Sequence, residues 1–452
     1  MRALEKFANL VERINGHIGG FLWGPPMLAL FLLCGLYFSV KTGFFQITGF
    51  GFWFKNTLGS LFKKKEGGQG SITQWQAFST ALAGTLGTGN IIGVATAISL
   101  GGAGAVFWML VSAVLGMMTA FAERTFGIIY RERDKNGDFA GGPMHYIEKG
   151  LGSRPLALIY AALCVGASFG MGCAAQSNAA AVALRQSFNV PPLITGIATA
   201  AAAGIILLGG IKRVGRVNEI LMPAISLFYI AGCLAIMIIN RQNLSFAVKS
   251  IFAGAFSFKS AGAGTGGFVI SRAIKYGIAR GVFSNEAGLG ASVIAHSTAQ
   301  VKHPAEQGMW GICEVFLDTV VICTLTALAV LSTPGILRCK DGEILTLTAF
   351  NQALGSFGEG FLSVSITLFA VASVVGWSFY GERAYKYICG GSAGYRAVFL
   401  AVTVLGAVMS LKLVWELSDT LNGLMAVPNL IAVFILFKRH PVTKSDILRI
   451  ET

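Results

Sequence analysis

The chain has 452 residues, of which 54% are hydrophobic and only 12% charged, and its mean hydropathy is +0.66. Soluble domains carry about 25% charged residues, so a soluble fold is excluded, and recurring apolar runs of about 20 residues mark a polytopic membrane protein. A net charge of +14 would suit nucleic acid, but the basic residues lie in short loops between apolar runs, where membrane topology puts them. The bilayer is the expected partner, and nucleic acid is not.

The first apolar run, Phe21 to Val40, is a full span rather than a cleavable leader. A basic linker with Lys63-Lys64-Lys65 closes an N-terminal unit, 1–71. The next run, 72–99, contains Gly84-Thr85-Leu86-Gly87-Thr88-Gly89-Asn90, a sequence that breaks most helices between two stretches that read as apolar helix. Helices are expected at 104–130, 155–186, 191–209 and 217–239, with a charged loop from Arg131 to Lys149. An amphipathic stretch, 244–257, leads to a second glycine cluster at 261–267 that includes Gly262, Gly264 and Gly266. The charged segment 268–300 is expected at the inner face, and further spans at 306–331, 359–386, 394–411 and 413–437, followed by a cytoplasmic tail, 438–452.

The pattern predicts an all-α membrane protein of about eleven spans: one leading helix, then ten. Glycine breaks fall in the first and sixth of the ten, the arrangement that points to the site of a secondary transporter. Two units of five helices, 72–240 and 241–437, must be inverted relative to each other because five is odd. Lys and Arg on one side outnumber those on the other by about three to one. That places the amino terminus outside and the tail in the cytoplasm of a cell membrane, the bacterial inner membrane being the expected one. The eight cysteines form no CxxC pair and lie mostly in apolar runs, so they read as packing residues.

Backbone opened at membrane depth is tolerated only where protein or a water-filled cavity takes up its polar groups. One half-helix end offers N–H groups to a carboxylate, and the other offers carbonyls to a sodium ion or an ammonium group. A zwitterionic amino acid matches both ends. Close helix packing explains isolated glycines, but not two threonines and Asn90 clustered with them. The glycine spacing also resembles a phosphate loop superficially, yet no strand precedes it and no acidic residue follows.

Gln176 and Asn178, deep in the third core helix, carry amides that can hold a carboxylate or an ammonium group, or simply bond helix to helix. In Ala372 to Ser378, Ser373 can supply an oxygen to sodium, and Trp377 can either wall the site or pack in the core. The carboxylates within or near the spans are Glu123, Glu314, Asp318, Glu382, Glu416 and Asp419, each a functional candidate by its cost alone. Glu123 beside Arg124, and Glu382 beside Arg383, read as structural pairs or as facing the inner surface. Ser284-Asn285-Glu286 can cap or gate the inner side. No nucleophile–base set or zinc spacing is present in the sequence, so neither an enzyme nor an organic cofactor is expected.

Several motifs together resemble the alanine/glycine:cation symporters, also called sodium:alanine symporters. They are Gly87-Thr88-Gly89-Asn90, Gly101 to Met109, Gly141 to Ile147, Arg280 to Gly290 with Ile294-Ala295-His296, and Gly376 to Arg383. His145 stands where a tyrosine is expected. The resemblance implies sodium-driven uptake of small neutral amino acids on a LeuT-type fold. It implies substrate contacts at Gly87, Thr88, Gly89, Asn90, Gln176 and Trp377, and, since the sixth core helix also unwinds around the substrate, at Gly264 and Gly266. It puts sodium on the backbone near Thr85 and at Ser373. Proton coupling, a preference for glutamine or serine, and an amino-acid channel or sensor are the rival expectations.

Overall fold

The computed structural model describes residues 15–61, 71–134, 137–256, 265–339, 341–342 and 344–448. After a helical stretch at 15–22, two prolines open α1 (Pro25–Lys41), where a missing N–H has no partner to lose. The short α2 (Phe50–Asn56) buries Trp53 and exposes Phe50 and Phe54. Thr73 and Gln76 then bond each other's backbone N–H, at 3.1 and 3.2 Å, a capping box that starts α3 (Gln74–Thr85). After the break come α4 (Ile92–Gly101), α5 (Gly104–Ile129) and α6 (Pro143–Leu151). They are followed by α7 (Arg154–Phe188), α8 (Pro192–Leu207), α9 (Gly210–Ile239) and α10 (Leu244–Phe256). The last set is α11 (Thr265–Asn285), α12 (Pro304–Leu331), α13 (Leu345–Cys389), α14 (Tyr395–Val408) and α15 (Leu411–Arg439). Strands Glu132–Arg133 and Phe139–Ala140 pair antiparallel in the loop after α5.

Among the described residues, seven helices are long and apolar enough to cross a bilayer, or eight if α3 and α4 form one span bent by 59°. Large apolar side chains such as Leu33, Ile220, Leu227, Ile238 and Phe246 point outward, as a hydrocarbon surround allows. Helices α3 and α13 cross backbone on backbone. A Cβ at Gly376 would lie 2.8 Å from the Gly84 nitrogen, and one at Gly84 would lie 2.6 Å from the Tyr380 hydroxyl. Small residues permit this approach where no hydrophobic drive joins helices.

The segment 268–300 does not lie along the inner face but runs through the protein. Near its start, Arg280 pairs with Asp419 of α15 at 2.9 and 3.1 Å. Both line a cavity of about 240 Å³ with Lys275, Asn15, Gly19 and Trp23, on the amino-terminal side. Its far end, Ala299, bridges to Ile72, and Arg131 donates to the Ser297 and Ala299 carbonyls at 3.1 and 2.7 Å. Lys275 and Arg280, with Arg272 further up the same helix, therefore belong to the amino-terminal side. The basic-residue bias falls to about two to one and keeps its direction.

Candidate functional site

The first glycine run opens where the sequence predicts. Helix α3 stops at Thr85, and Leu86 and Gly87 take extended backbone (φ −73°, ψ 95°; φ −140°, ψ −154°). Thr88–Asn90 form a single 3₁₀ turn before α4. The freed donors find side-chain acceptors. The Gly87 N–H donates to Asn90 Oδ1 at 3.0 Å, and the Thr88 N–H and hydroxyl both donate to Gln176 Oε1, at 3.2 and 3.1 Å. Ser373 donates to the Leu86 carbonyl at 3.3 Å. There is no room for a side chain at position 87: a Cβ would lie 2.6 Å from Ser373 Oγ and 3.0 Å from Gln176 Oε1. Gly89 packs against Phe283 and Ser284 of α11. Thr85 turns its hydroxyl back onto its own helix, towards the Ala81 and Leu82 carbonyls.

Two π-helical segments aim side chains at this break. Ser168–Ala175 interrupts α7 just before Gln176, and Phe316–Cys323 interrupts α12 around Asp318 and Thr319. Such insertions are frequent at functional sites. Asp318 accepts from Asn90 Nδ2 at 2.7 Å, from Ser284 at 2.9 Å and from Thr319 at 2.7 Å. This carboxylate joins the break to α11 and α12 in one oxygen-rich cluster. Thr88, Asn90, Gln176, Ser373 and Trp377 are all at most 1% exposed, so the site is closed to solvent. Asn178 is engaged elsewhere, donating to the Gly406 and Met409 carbonyls at 2.7 and 2.8 Å.

The second break, expected at 261–267, lies largely outside the described residues. Gly264 lies outside the described residues, and Gly266 sits in the first turn of α11, which is helical from Thr265 to Asn285. Among the described residues the chain opens at Glu286, with φ +55°, followed by Gly288 and Gly290 at φ +95° and +76°. Tertiary bonds hold this opening. Glu123 accepts from the Gly288 N–H at 3.1 Å, Asn429 donates to the Gly288 carbonyl at 2.8 Å, and Tyr160 donates to the Leu289 carbonyl at 2.9 Å. Ser284-Asn285-Glu286 is therefore beside the first break and not at the inner rim.

Beneath this loop lies a fully buried charge network. Arg124 bonds Glu123 at 2.5 Å and Glu314 at 2.9 Å, and donates to Ser292 at 2.6 Å. His296 meets the same Glu314 at 2.9 Å. Glu123 and Arg124 do pair, and together they tie the opened loop to α5 and α12.

A bent helix whose freed backbone meets polar side chains in a closed site, inside a bundle of apolar spans, is the architecture of a secondary transporter. The crystal structure of MhsT in complex with L-phenylalanine has the same LeuT-type fold, with a TM-score of 0.62 at 16% identity over 84% of this chain and 92% of that one. The model of the sodium:alanine symporter family matches residues 8–446, and the chain belongs to that family. It is 42% identical over 441 residues to the sodium/alanine symporter AgcS of Methanococcus maripaludis, covering 95% of both chains. It is 36% identical to the "Probable sodium/glutamine symporter GlnT" of Bacillus subtilis, covering 95% of this chain and 89% of that one. The protein is thus a multi-pass membrane symporter of amino acids and cations.

Proposed function

We propose that the protein imports small neutral amino acids, alanine and glycine, together with sodium, by alternating access. The supporting observation is the closed break at Leu86–Asn90, where freed backbone meets the Gln176 amide and the Ser373 hydroxyl, the mix of groups that a zwitterion needs. On this reading Gly87 to Asn90, Gln176 and Trp377 bind substrate. The opened backbone after Asn285 takes the part expected of Gly264 and Gly266. Sodium, a hard cation that prefers oxygen, has two candidate sets: Ser373 with the Leu86 carbonyl and nearby Thr85, and Asp318 with Ser284 and Thr319. Counting α8, α11 and α14 as spans gives eleven, arranged as a leading helix and inverted repeats 72–240 and 241–437, with the amino terminus outside.

One sodium crossing 100 mV supplies about 2.3 kcal/mol, and a tenfold gradient adds about 1.4 kcal/mol. The total of about 3.7 kcal/mol holds an amino-acid gradient of several hundredfold. The test is uptake of labelled alanine into proteoliposomes, in sodium against choline buffer at fixed pH. Sodium-dependent uphill accumulation is expected, lost in Asn90→Ala and Gln176→Ala protein that still inserts. Equal uptake in choline refutes sodium coupling, and normal uptake by both variants removes the site.

A further inference from the structure

The indole of Trp377 is held at two points. Its root lies on Gly172, where a Cβ would come within 2.6 Å of Trp377 Cβ and 2.9 Å of Cγ, so the π segment that delivers Gln176 also seats the tryptophan. Its one polar atom, Nε1, donates to Glu286 Oε1 at 3.2 Å. Both residues are fully buried, and an indole has no second donor with which to replace that bond.

Glu286 is an unexpected residue for its position. It is one of three non-glycine residues with positive φ among those described, at φ +55°, and a long side chain there is strained. The same loop uses glycine at its other left-handed positions, 288 and 290. The turn is pinned without the Glu286 side chain: its N–H donates to the Val282 carbonyl at 2.9 Å, its carbonyl accepts from Leu289 at 3.0 Å, and Ala287 N–H donates to Asn285 Oδ1 at 3.0 Å. Arg124, the buried cation of this region, bonds Glu123 and Glu314 instead. The carboxyl's hydrogen bond goes to Trp377, and Oε2 has no hydrogen-bond partner among the described residues.

We propose that Glu286 is a positioning residue that holds the Trp377 indole in place as the size-limiting wall of the amino-acid site. The proposal rests on the reading of Trp377 as that wall. Backbone strain at the end of α11 is kept because only a long acceptor reaches the indole from there. Without it, the indole N–H is left unpaired in a closed interior and the ring is free to turn away, opening space for larger side chains.

Alanine and leucine uptake are compared in proteoliposomes for wild type, Glu286→Gly, Glu286→Gln, Trp377→Ala and the Glu286→Gly/Trp377→Ala double variant. Glycine relieves the left-handed backbone, so Glu286→Gly is expected to fold; if it fails to insert, Glu286→Asn, which tolerates this conformation and is too short to reach, takes its place. Removing the carboxyl lowers the alanine-over-leucine ratio of kcat/KM about tenfold, the scale at which apolar pockets discriminate size. Glu286→Gln keeps an acceptor oxygen and retains the ratio, and the double variant falls no further than Trp377→Ala alone. A wild-type ratio in Glu286→Gly beside a lowered one in Trp377→Ala overturns the inference and leaves the wall reading intact. An unchanged ratio in Trp377→Ala overturns both. Glu286→Gln behaving like Glu286→Gly assigns the effect to charge and overturns the positioning role.

Discussion

Gly87→Ala tests whether the break is a fitted site or a loose one. The backbone at position 87 (φ −140°, ψ −154°) is open to alanine, so the substitution adds no conformational strain. Its whole cost is contact: 2.6 Å to Ser373 Oγ and 3.0 Å to Gln176 Oε1. Gln176 cannot swing aside freely, because it accepts from both the N–H and the hydroxyl of Thr88. Overpacking of this kind costs about 1–3 kcal/mol. The strain falls on the groups assigned to the substrate, so KM for alanine rises about 5- to 140-fold. Gly93→Ala is the matched control, since nothing lies within 4 Å of its added carbon and it sits in the first turn of α4, where alanine is readily accepted. Concentration-dependent uptake, with thermal midpoints measured in detergent, separates the two variants. Wild-type KM in Gly87→Ala, or equal loss in Gly93→Ala, refutes the reasoning.

Two further outcomes concern stability. Arg124→Met leaves Glu123 and Glu314 buried without their cation and destabilises the protein by about 3–5 kcal/mol; Arg124→Lys does not restore it, because one ammonium cannot serve Glu123, Ser292 and Glu314 as the guanidinium does. A thermal midpoint near wild type in either variant counts against this. In the loop after α5, the His145 hydrogen bond, with Lys149 beside it, holds the Glu132 carboxyl down to about 2 from its ordinary 4.5. A depressed carboxyl stabilises the folded state above the unfolded value, and that contribution is lost as pH falls from there towards 2. The pair is nearly half exposed, so the gain is at most about 1 kcal/mol. Glu132→Gln therefore lowers the thermal midpoint slightly at neutral pH, and the difference from wild type narrows below about pH 4.5. A constant difference across that range refutes the assignment.

The first break was legible because three glycines and two threonines interrupt an otherwise apolar helix, a local conflict that only a tertiary purpose resolves. The opening at Glu286 was not legible, for the converse reason. Ser284 to Gly288 contains a single glycine, and the chain opens there because Glu123, Asn429 and Tyr160 supply bonds from three other helices. Residues 265–267, richer in glycine, stay helical at the start of α11. The π segments that aim Gln176 and Asp318 have no compositional mark, since their register is set by packing. Asp318 stood out by its cost in an apolar span, but the donors around it come from chain positions too distant for spacing to connect. Adjacency paired Glu123 with Arg124 correctly but failed for Glu382 and Arg383: Glu382 bonds Arg396 at 2.8 and 2.9 Å, and Arg383 bonds Asp134 at 2.9 Å, because on a helix neighbouring side chains point apart. Glu314 and His296 join the Glu123–Arg124 pair only in three dimensions.

The crossing of Gly84 and Gly376 has a mechanical consequence. With no side chain between the two backbones, neither helix can slip along the other without collision, and the Tyr380 hydroxyl, which donates to the Ala81 carbonyl at 3.3 Å, latches them one turn away. Ser373 and Trp377 flank Gly376 on the same helix, so any swing of α3 carries both with it. The residue proposed to limit cargo size and a residue proposed to ligate the driving ion are thereby yoked to a single lever, and drift at either one is felt by the other.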